Sequence, residues 1–308
     1  MGFLYLLEGI RTPFLDALFQ FFTLFGEETL FLVLALVVFW CLDKRCGYFL
    51  MYLCFLGTAI NQFLKVLFCI PRPWVRDPNF TIVESARDAA TGYSFPSGHT
   101  QSSSGLFLGV ARYVSNRAVR IACVALTVLV GLSRMYLGVH TPADVLVSLG
   151  ITVALILFAY PLFTRAWNGE RKWYYVLFGV LFGVALAFLV YIQWCPQPAA
   201  AVAENQMHGL ENAYKVLGGS LGLALVLWLD ETRLHIDTRA RWWAQIIKTA
   251  LGLAVVIAVR TLLKAPLLSL TGGHPLAGLI RYFLMVAVAG AVWPLTFPWF
   301  AKLGGKAA

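Results

Sequence analysis

The chain has 308 residues, of which 60% are hydrophobic and only 13% are charged, and its mean hydropathy is +0.75. A water-soluble globule of this size could not hide so much apolar surface, whereas a bilayer solvates it directly, so the composition excludes a soluble protein. The formal net charge of +9 is typical of a membrane protein with basic cytoplasmic loops, and no nucleic-acid partner is expected.

The N-terminal segment, residues 1–26, mixes apolar residues with Glu8, Arg11, Pro13 and Asp16. This pattern does not match a cleavable signal, and it favours an interfacial or re-entrant helix over a membrane crossing. The six cysteines contain no CxxC pair, so neither a disulfide framework nor a zinc site is predicted.

The remaining sequence predicts about nine membrane spans, because each crossing needs about 20 predominantly apolar residues. The predicted fold is therefore all-α: a polytopic transmembrane helix bundle with an interfacial N-terminal helix. The spans are predicted near residues 28–42, 47–69, 98–116, 119–138, 142–163, 173–194, 214–229, 245–263 and 276–299.

Orientation follows from the distribution of Lys and Arg. If the turn at 43–46 is cytoplasmic, thirteen basic residues lie on that side and ten on the other, leaving out Arg112 inside a span. Lys65, Arg72 and Arg134 have chemical roles argued below, and without them the contrast is thirteen against seven. We therefore expect the loops 71–96 and 195–213 to face away from the cytoplasm, in a protein of the plasma membrane.

Three polar clusters lie near the predicted span ends, where ionisable residues are costly and therefore candidates for function. About 40 residues separate His99 from His140, enough for two crossings, so both histidines emerge on one side. The end of the second span reaches the same side. The clusters are Lys65 with Arg72 and Pro73, then Pro96-Ser97-Gly98-His99, then Ser133-Arg134 with His140 and Asp144.

Together these residues predict a phosphate site. Lys65, Arg72 and Arg134 would provide fixed cations, and a helix N-terminus at Ser97 and Gly98 would add donors to the same anion. His140 precedes Asp144 by four positions, so a carboxylate on one ring nitrogen would leave the other free to attack phosphorus, with His99 protonating the leaving oxygen. Asp144 is the only carboxylate in the two histidine motifs, so we expect metal-independent hydrolysis and no cofactor.

Three motifs of this sequence resemble the three-part signature of the type 2 phosphatidate phosphatase superfamily. They are KxxxxxxRP from Lys65 to Pro73, PSGH from Pro96 to His99, and SRxxxxxHxxxD from Ser133 to Asp144. The resemblance covers roughly residues 1–165 and implies a phosphatase core there, with a further transmembrane helical bundle of unknown role over 166–308. It implies a phosphohistidine at His140 oriented by Asp144, and a general acid at His99. The implied phosphate-binding residues are Lys65, Arg72, Ser97, Gly98 and Arg134.

Each motif alone also fits a structural role, with Lys65 snorkelling at a span end, Ser97 as a helix N-cap, and Thr141 to Asp144 as a capping sequence. Their conjunction in order on one side of the membrane favours chemistry. Outside the motifs we interpret His208, His235 and His274 as loop or interfacial residues, and Arg260, Lys264 and Arg281 as snorkelling or lipid-headgroup residues. Gly218, Gly219 and Gly222 would permit close helix packing.

The leading hypothesis is an integral-membrane lipid phosphatase whose partners are a lipid phosphate substrate and the surrounding membrane lipids. Polyprenyl pyrophosphate is the first substrate candidate, followed by phosphatidate, phosphatidylglycerol phosphate and sphingoid phosphate. The alternative is a non-catalytic lipid-phosphate binding or transport protein that uses its additional helices. A third possibility is an enzyme for water-soluble phosphate esters, of the glucose-6-phosphatase kind.

Overall fold

The computed structural model describes residues 1–194 and 202–303, and this part of the chain contains fourteen α-helices and no strand. In chain order they are α1 (Gly2–Gly9), α2 (Pro13–Leu24), α3 (Glu28–Val37), α4 (Lys44–Phe68), α5 (Pro73–Arg76), α6 (Gly98–Tyr113), α7 (Arg117–Tyr136), α8 (Pro142–Trp167), α9 (Lys172–Trp194), α10 (Val202–Leu229), α11 (Trp242–Leu262), α12 (Lys264–Leu270), α13 (Leu276–Ala287) and α14 (Phe297–Lys302). Helices α3, α10 and α13 each continue into a wider π-helical turn. The all-α prediction is confirmed.

Within the described ranges, seven helical segments are long and apolar enough to cross a membrane, and a pair bent by 50°, Pro13–Leu24 with Glu28–Leu42, brings the number to eight. The predicted number of about nine is therefore only roughly matched. The predicted span that is missing from these segments is 98–116. The helix formed there, α6, has 16 residues and buries polar side chains such as Gln101, Ser103 and Ser104 inside the protein.

The N-terminal segment forms two helices where one was predicted. Pro13 begins a new helix because it fixes the backbone angle of a first helical position, and Thr12 caps that helix by accepting from the Leu15 amide at 3.3 Å. The predicted loop 195–213 also differs, because α10 already begins at Val202. Residues 195–201 of that loop, with Cys195, lie outside the described residues.

Helix α4 is the centre of the bundle. Every residue from Cys46 to Gly57 is buried, which is typical of a helix surrounded by other helices on all sides. Helices α3, α6, α8, α9 and α10 all pack on it. The predicted boundary near residue 165 stays a prediction, but helices from both sides of that boundary share α4 as a neighbour.

Glycines bring α10 close to two neighbours. A Cβ atom at Gly218 would lie 2.1 Å from the Leu279 carbonyl oxygen of α13, and one at Gly219 would lie 2.4 Å from the Phe55 ring of α4. Gly222 meets Val286 of α13 at 2.8 Å by the same measure. The predicted close packing is confirmed, and it fixes the N-terminal end of α10 beside the end of α4 that carries Lys65.

Candidate active site

The three sequence motifs converge at one end of the bundle, around a cavity of about 280 Å³. The end of α4, the start of α6 and the loop between α7 and α8 all contribute to its wall. Five of the eight predicted residues line it, namely Lys65, Arg72, Gly98, His99 and His140. The other three, Ser97, Arg134 and Asp144, are buried directly behind that wall.

His140 lies between a carboxylate and a guanidinium. Its Nδ1 is 3.4 Å from Asp144 Oδ2, and its Nε2 is 2.9 Å from Arg72 Nη1. Because a guanidinium has donors only, the Nε2 atom must accept this hydrogen bond, and the ring proton therefore lies on Nδ1, towards Asp144. The unshared electron pair of Nε2 therefore faces the Arg72 guanidinium.

Asp144 is itself fixed by further donors. Its Oδ2 accepts from Ser94 Oγ at 2.6 Å and from the Thr141 amide at 2.8 Å, while its own amide donates to Thr141 Oγ1 at 3.3 Å. The last two bonds form a capping box at the start of α8, so the predicted capping role is confirmed and coexists with contact to His140.

Burial lowers the pKa of His140 well below its ordinary value, and the positive charges of Arg72, Arg134 and Lys65 lower it further. The Asp144 carboxylate opposes this effect from 3.4 Å, but burial and three cations outweigh it. The imidazole is therefore neutral at pH 7, which is the state in which Nε2 can act as a nucleophile.

Arg72 is held in one orientation by the backbone around it. Its Nη2 donates to the Thr91 carbonyl at 2.7 Å, its Nε to Gly92 at 3.2 Å, and its Nη1 to Val139 at 3.0 Å. Lys65 donates to the Tyr93 carbonyl in the same loop. These contacts tie the loop before Pro96 to the end of α4, so both cations face the cavity without needing an acidic partner.

Arg134 lies at the end of α7 and is 1% exposed. Its Nη1 donates to Thr23 Oγ1 at 2.6 Å, whereas its Nε and Nη2 have no hydrogen-bond partner among the described residues. His99 Nε2 is likewise buried and unpartnered in this part of the chain. Buried donors without partners are uncommon in folded proteins, and here they surround a cavity that a phosphate group would fit.

Ser97 acts first as a structural residue. Its hydroxyl accepts from the Thr100 amide at 3.4 Å, its amide donates to the Asp144 carbonyl at 3.1 Å, and its carbonyl accepts from Ser148 Oγ at 2.8 Å. These bonds join the start of α6 to the start of α8, and so fix His99 relative to Asp144. The predicted N-cap role of Ser97 is confirmed, while its contact with phosphate stays a prediction.

Sequence reasoning missed part of the cavity wall. Helix α10 contributes Asn205, His208 and Asn212, so His208 faces this site and is not simply a loop or interfacial histidine. The spacing of these three residues puts them on one helical face, a signal that was available in the sequence. Glu27 and Glu28, at the corner between α2 and α3, also line the cavity.

Gly26 allows that corner to pack directly on the start of α6. A Cβ atom at this position would lie 2.8 Å from His99 Cβ and 2.9 Å from the His99 carbonyl oxygen.

We expect Gly26→Val to displace His99 and to lower kcat by about 10²-fold, the effect of a misplacement near 1 Å. Phosphate release by purified protein would measure this. Gly9→Val is the matched control, since nothing lies within 4 Å of that position, and equal losses in both variants would contradict the role given to Gly26.

The described residues contain no group of three or more His, Cys, Asp or Glu side chains that could hold a metal ion. Metal independence of the reaction remains a prediction.

Comparison with known proteins gives two family matches. The PAP2 superfamily matches residues 46–168, and the transmembrane extension of PAP2 superfamily phosphatases matches residues 214–306. A dihydrosphingosine 1-phosphate phosphatase of Schizosaccharomyces pombe is 25% identical over 280 residues, which is 84% of this chain and 64% of that protein.

Two other relatives cover less of the chain. Human sphingosine-1-phosphate phosphatase 2 is 27% identical over 50% of this chain and 39% of its own length. The undecaprenyl-diphosphatase BcrC of Bacillus subtilis is 34% identical over 32% of this chain and 48% of its own length. The chain thus spans between 39% and 64% of the length of these three relatives. No solved structure matches it. Together, the two family matches and the three converging motifs establish that this integral membrane protein belongs to the PAP2 superfamily.

Proposed function

We propose that this protein is a lipid phosphatase that transfers the phosphoryl group of a membrane lipid first to His140 and then to water. The observation that carries this proposal is the placement of the His140 imidazole, with Nδ1 at 3.4 Å from Asp144 and Nε2 at 2.9 Å from Arg72, on the wall of a cavity that Lys65 and Arg72 also line. A site that only bound phosphate would need the cations but not an oriented nucleophile.

The reaction has two displacement steps. In the first, Nε2 of His140 attacks phosphorus and the bond between phosphorus and the lipid oxygen breaks. His99, which enters this step as an imidazolium because the bound phosphate dianion favours its charge, donates its proton to that oxygen and becomes neutral. In the second, His99 removes a proton from a water molecule as this water attacks the phosphohistidine. The nitrogen–phosphorus bond breaks, inorganic phosphate leaves, and His140 returns to its neutral form.

The cations act mainly on the charge that the phosphoryl oxygens carry. Lys65 and Arg72 line the cavity, Arg134 is buried behind its wall, and the amides at the start of α6 add donors from a helix N-terminus. When phosphate binds, the Arg72 N–H that contacts His140 Nε2 turns to a phosphoryl oxygen, which frees the Nε2 electron pair and holds phosphorus in front of it. Asp144 stabilises the positive charge that develops on the imidazole ring.

Sphingoid phosphate is the substrate class we favour. Glu27 and Glu28 line the same cavity as the cations, so the site offers carboxylates close to its phosphate-binding side. A sphingoid phosphate carries an ammonium group near its phosphate and suits both charges, whereas the additional negative charge of a pyrophosphate would be repelled. The Schizosaccharomyces pombe relative, which matches 84% of this chain, is a dihydrosphingosine 1-phosphate phosphatase. Polyprenyl pyrophosphate is the second candidate, since BcrC is an undecaprenyl-diphosphatase.

The site is proposed to face away from the cytoplasm. Helices α4, α7 and α9 end on the same side as His140, and α6, α8 and α10 begin there, so the opposite side of the bundle carries the basic turns at 44–45, 117–120 and 165–172. Basic loops of membrane proteins stay preferentially in the cytoplasm. A plasma-membrane location remains the expectation from the sequence.

Phosphate release from detergent-solubilised lipids tests the function. The panel should contain a sphingoid phosphate, phosphatidate and a polyprenyl pyrophosphate, together with a water-soluble ester, each assayed with excess EDTA. We expect turnover that survives EDTA and is fastest with the sphingoid phosphate. In separate assays without EDTA, which would complex vanadate, we expect inhibition by vanadate as a mimic of five-coordinate phosphorus. Turnover abolished by EDTA would contradict the metal-free mechanism. Tight lipid binding without any turnover, from folded protein, would favour the binding or transport alternative.

A further inference from the structure

A second cavity, of about 510 Å³, lies deeper in the bundle between the family core and the transmembrane extension. Helices α3 and α4 form one side of it, and α10, α11 and α13 form the other. Its lining is mainly aliphatic and aromatic, with Leu32, Phe55, Leu223, Val256 and Met285 among the wall residues. The volume falls in the range of about 300–1,000 Å³ that is common for ligand sites.

This apolar cavity adjoins the catalytic one. Glu28 lines both cavities, and its Oε1 accepts from Thr58 Oγ1 of α4 at 3.4 Å. The apolar cavity then continues along α3 as far as Phe39. Phe39 lies eleven positions after Glu28, so the cavity reaches roughly 16 Å from the catalytic end of the bundle into its apolar interior.

The wall of the apolar cavity includes exposed residues on α3 and α11. The π-helical turn that follows α3 contacts α11 at the end far from His140, where Lys248 Nζ donates to the Trp40 carbonyl at 2.8 Å and Cys41 Sγ lies 3.0 Å from Thr249 Oγ1. Towards the His140 end, Thr29 and Ile257 line the cavity and are exposed. We expect a lipid to enter on this side, directly from the bilayer.

We propose that the apolar cavity holds the hydrocarbon tail of the substrate while its phosphate lies at His140. The transmembrane extension then forms half of the substrate site, since α10, α11 and α13 supply the wall opposite α3 and α4. Glu28 marks the junction between headgroup and tail, where the chemistry of the site changes from polar to apolar. This inference rests on the proposed phosphatase function and deepens it by assigning the binding site of the tail.

Binding of the tail in the cavity adds little hydrophobic free energy, because the tail already lies in the hydrocarbon of the bilayer before it binds. Its contribution is positional: a tail that fits the cavity holds the headgroup at the correct depth, and a tail that no longer fits displaces the headgroup from His140. The inference therefore predicts a change in tail-length selectivity when the cavity is made smaller.

Val256→Trp tests this prediction by filling the middle of the cavity from α11. The matched control is Leu251→Trp on the same helix, because Leu251 is 48% exposed and does not line the cavity. The measured quantity is the ratio of kcat/KM for hexadecyl phosphate to kcat/KM for butyl phosphate. We expect Val256→Trp to lower this ratio by about tenfold, the effect of overpacking one site, and Leu251→Trp to leave it unchanged. An unchanged ratio in Val256→Trp would overturn the inference.

A second measurement does not depend on turnover or on the folding of a cavity variant. The His140→Ala protein is irradiated with a hexadecyl phosphate analogue that carries a photoreactive diazirine at the end of its tail. We expect labelling of cavity residues such as Leu253, Val256 and Met285, suppressed by excess hexadecyl phosphate. Labelling confined to bilayer-facing residues such as Leu251, and not suppressed by competitor, would contradict the inference. If the unsubstituted chain turned over neither these alkyl phosphates nor any lipid phosphate of the panel above, the proposed function itself would fail, whatever the labelling.

Discussion

Replacing His140 with Ala should lower the rate of phosphate release by about 10⁴-fold or more, because the covalent route through nitrogen is lost. The cations would still bind the lipid phosphate, so KM should change far less than kcat. This contrast follows from the placement of Lys65 and Arg72, which are held by the carbonyls of the loop before Pro96 and not by His140 alone.

The measurement is single-turnover and steady-state phosphate release in detergent, with folding checked by thermal unfolding. His274→Ala is the matched control, since His274 is exposed and does not line the catalytic cavity. With radiolabelled substrate, acid-labile and base-stable label on the unsubstituted protein, absent from His140→Ala, would identify the phosphohistidine. Residual turnover of His140→Ala within tenfold of the unsubstituted rate would remove His140 as nucleophile.

The core of the site was predictable because its residues are fixed by helix ends. Ser97 and Asp144 belong to capping motifs, which the sequence reveals through local spacing alone. Counting membrane crossings then brings His99 and His140 to one side of the bundle. Local capping and topology together therefore placed all eight motif residues in or directly behind one cavity wall.

The residues that were missed depend on long-range packing. Ser94 contacts Asp144 from a loop 50 positions earlier, and Gly26 touches His99 across 73 positions. Neither residue belongs to a periodic pattern, so local spacing could not reveal its contact. The α10 face with Asn205 and His208 carried a spacing signal, but its partner surface on α4 becomes evident only when Gly219 packs on Phe55.

The number of spans was harder to predict than the site, for a physical reason. The sequence predicts a span over 98–116, whereas the helix that forms there, α6, has only 16 residues and buries much of its surface in protein. Its buried Ser104 hydroxyl donates to Thr152 Oγ1 of α8 at 2.7 Å, so its polar face is satisfied by a neighbouring helix. The bent pair α2–α3 also makes the spans difficult to count, because its two helices form a crossing only when taken together.

Replacing Arg72 with Lys should lower kcat/KM by about 10²- to 10³-fold although the positive charge is retained. One guanidinium contacts the carbonyls of Thr91, Gly92 and Val139 together with His140 Nε2, at distances between 2.7 and 3.2 Å. A single ammonium group cannot reach all four acceptors from one position. The variant would leave one or more of these carbonyls, including the buried Val139 carbonyl, without a donor, and would lose the alignment between phosphoryl oxygen and nucleophile.

Arg76→Lys is the matched control, since Arg76 is exposed on α5 only four residues away and does not line the catalytic cavity. Vanadate affinity should fall in parallel with kcat/KM in Arg72→Lys, because both depend on the charge and geometry of a phosphorus-like centre next to His140. If Arg72→Lys retained kcat/KM and vanadate affinity within about threefold, charge alone would suffice at this position. The guanidinium contacts would then serve the folding of the loop before Pro96, and the alignment argued here for Arg72 and His140 would be wrong.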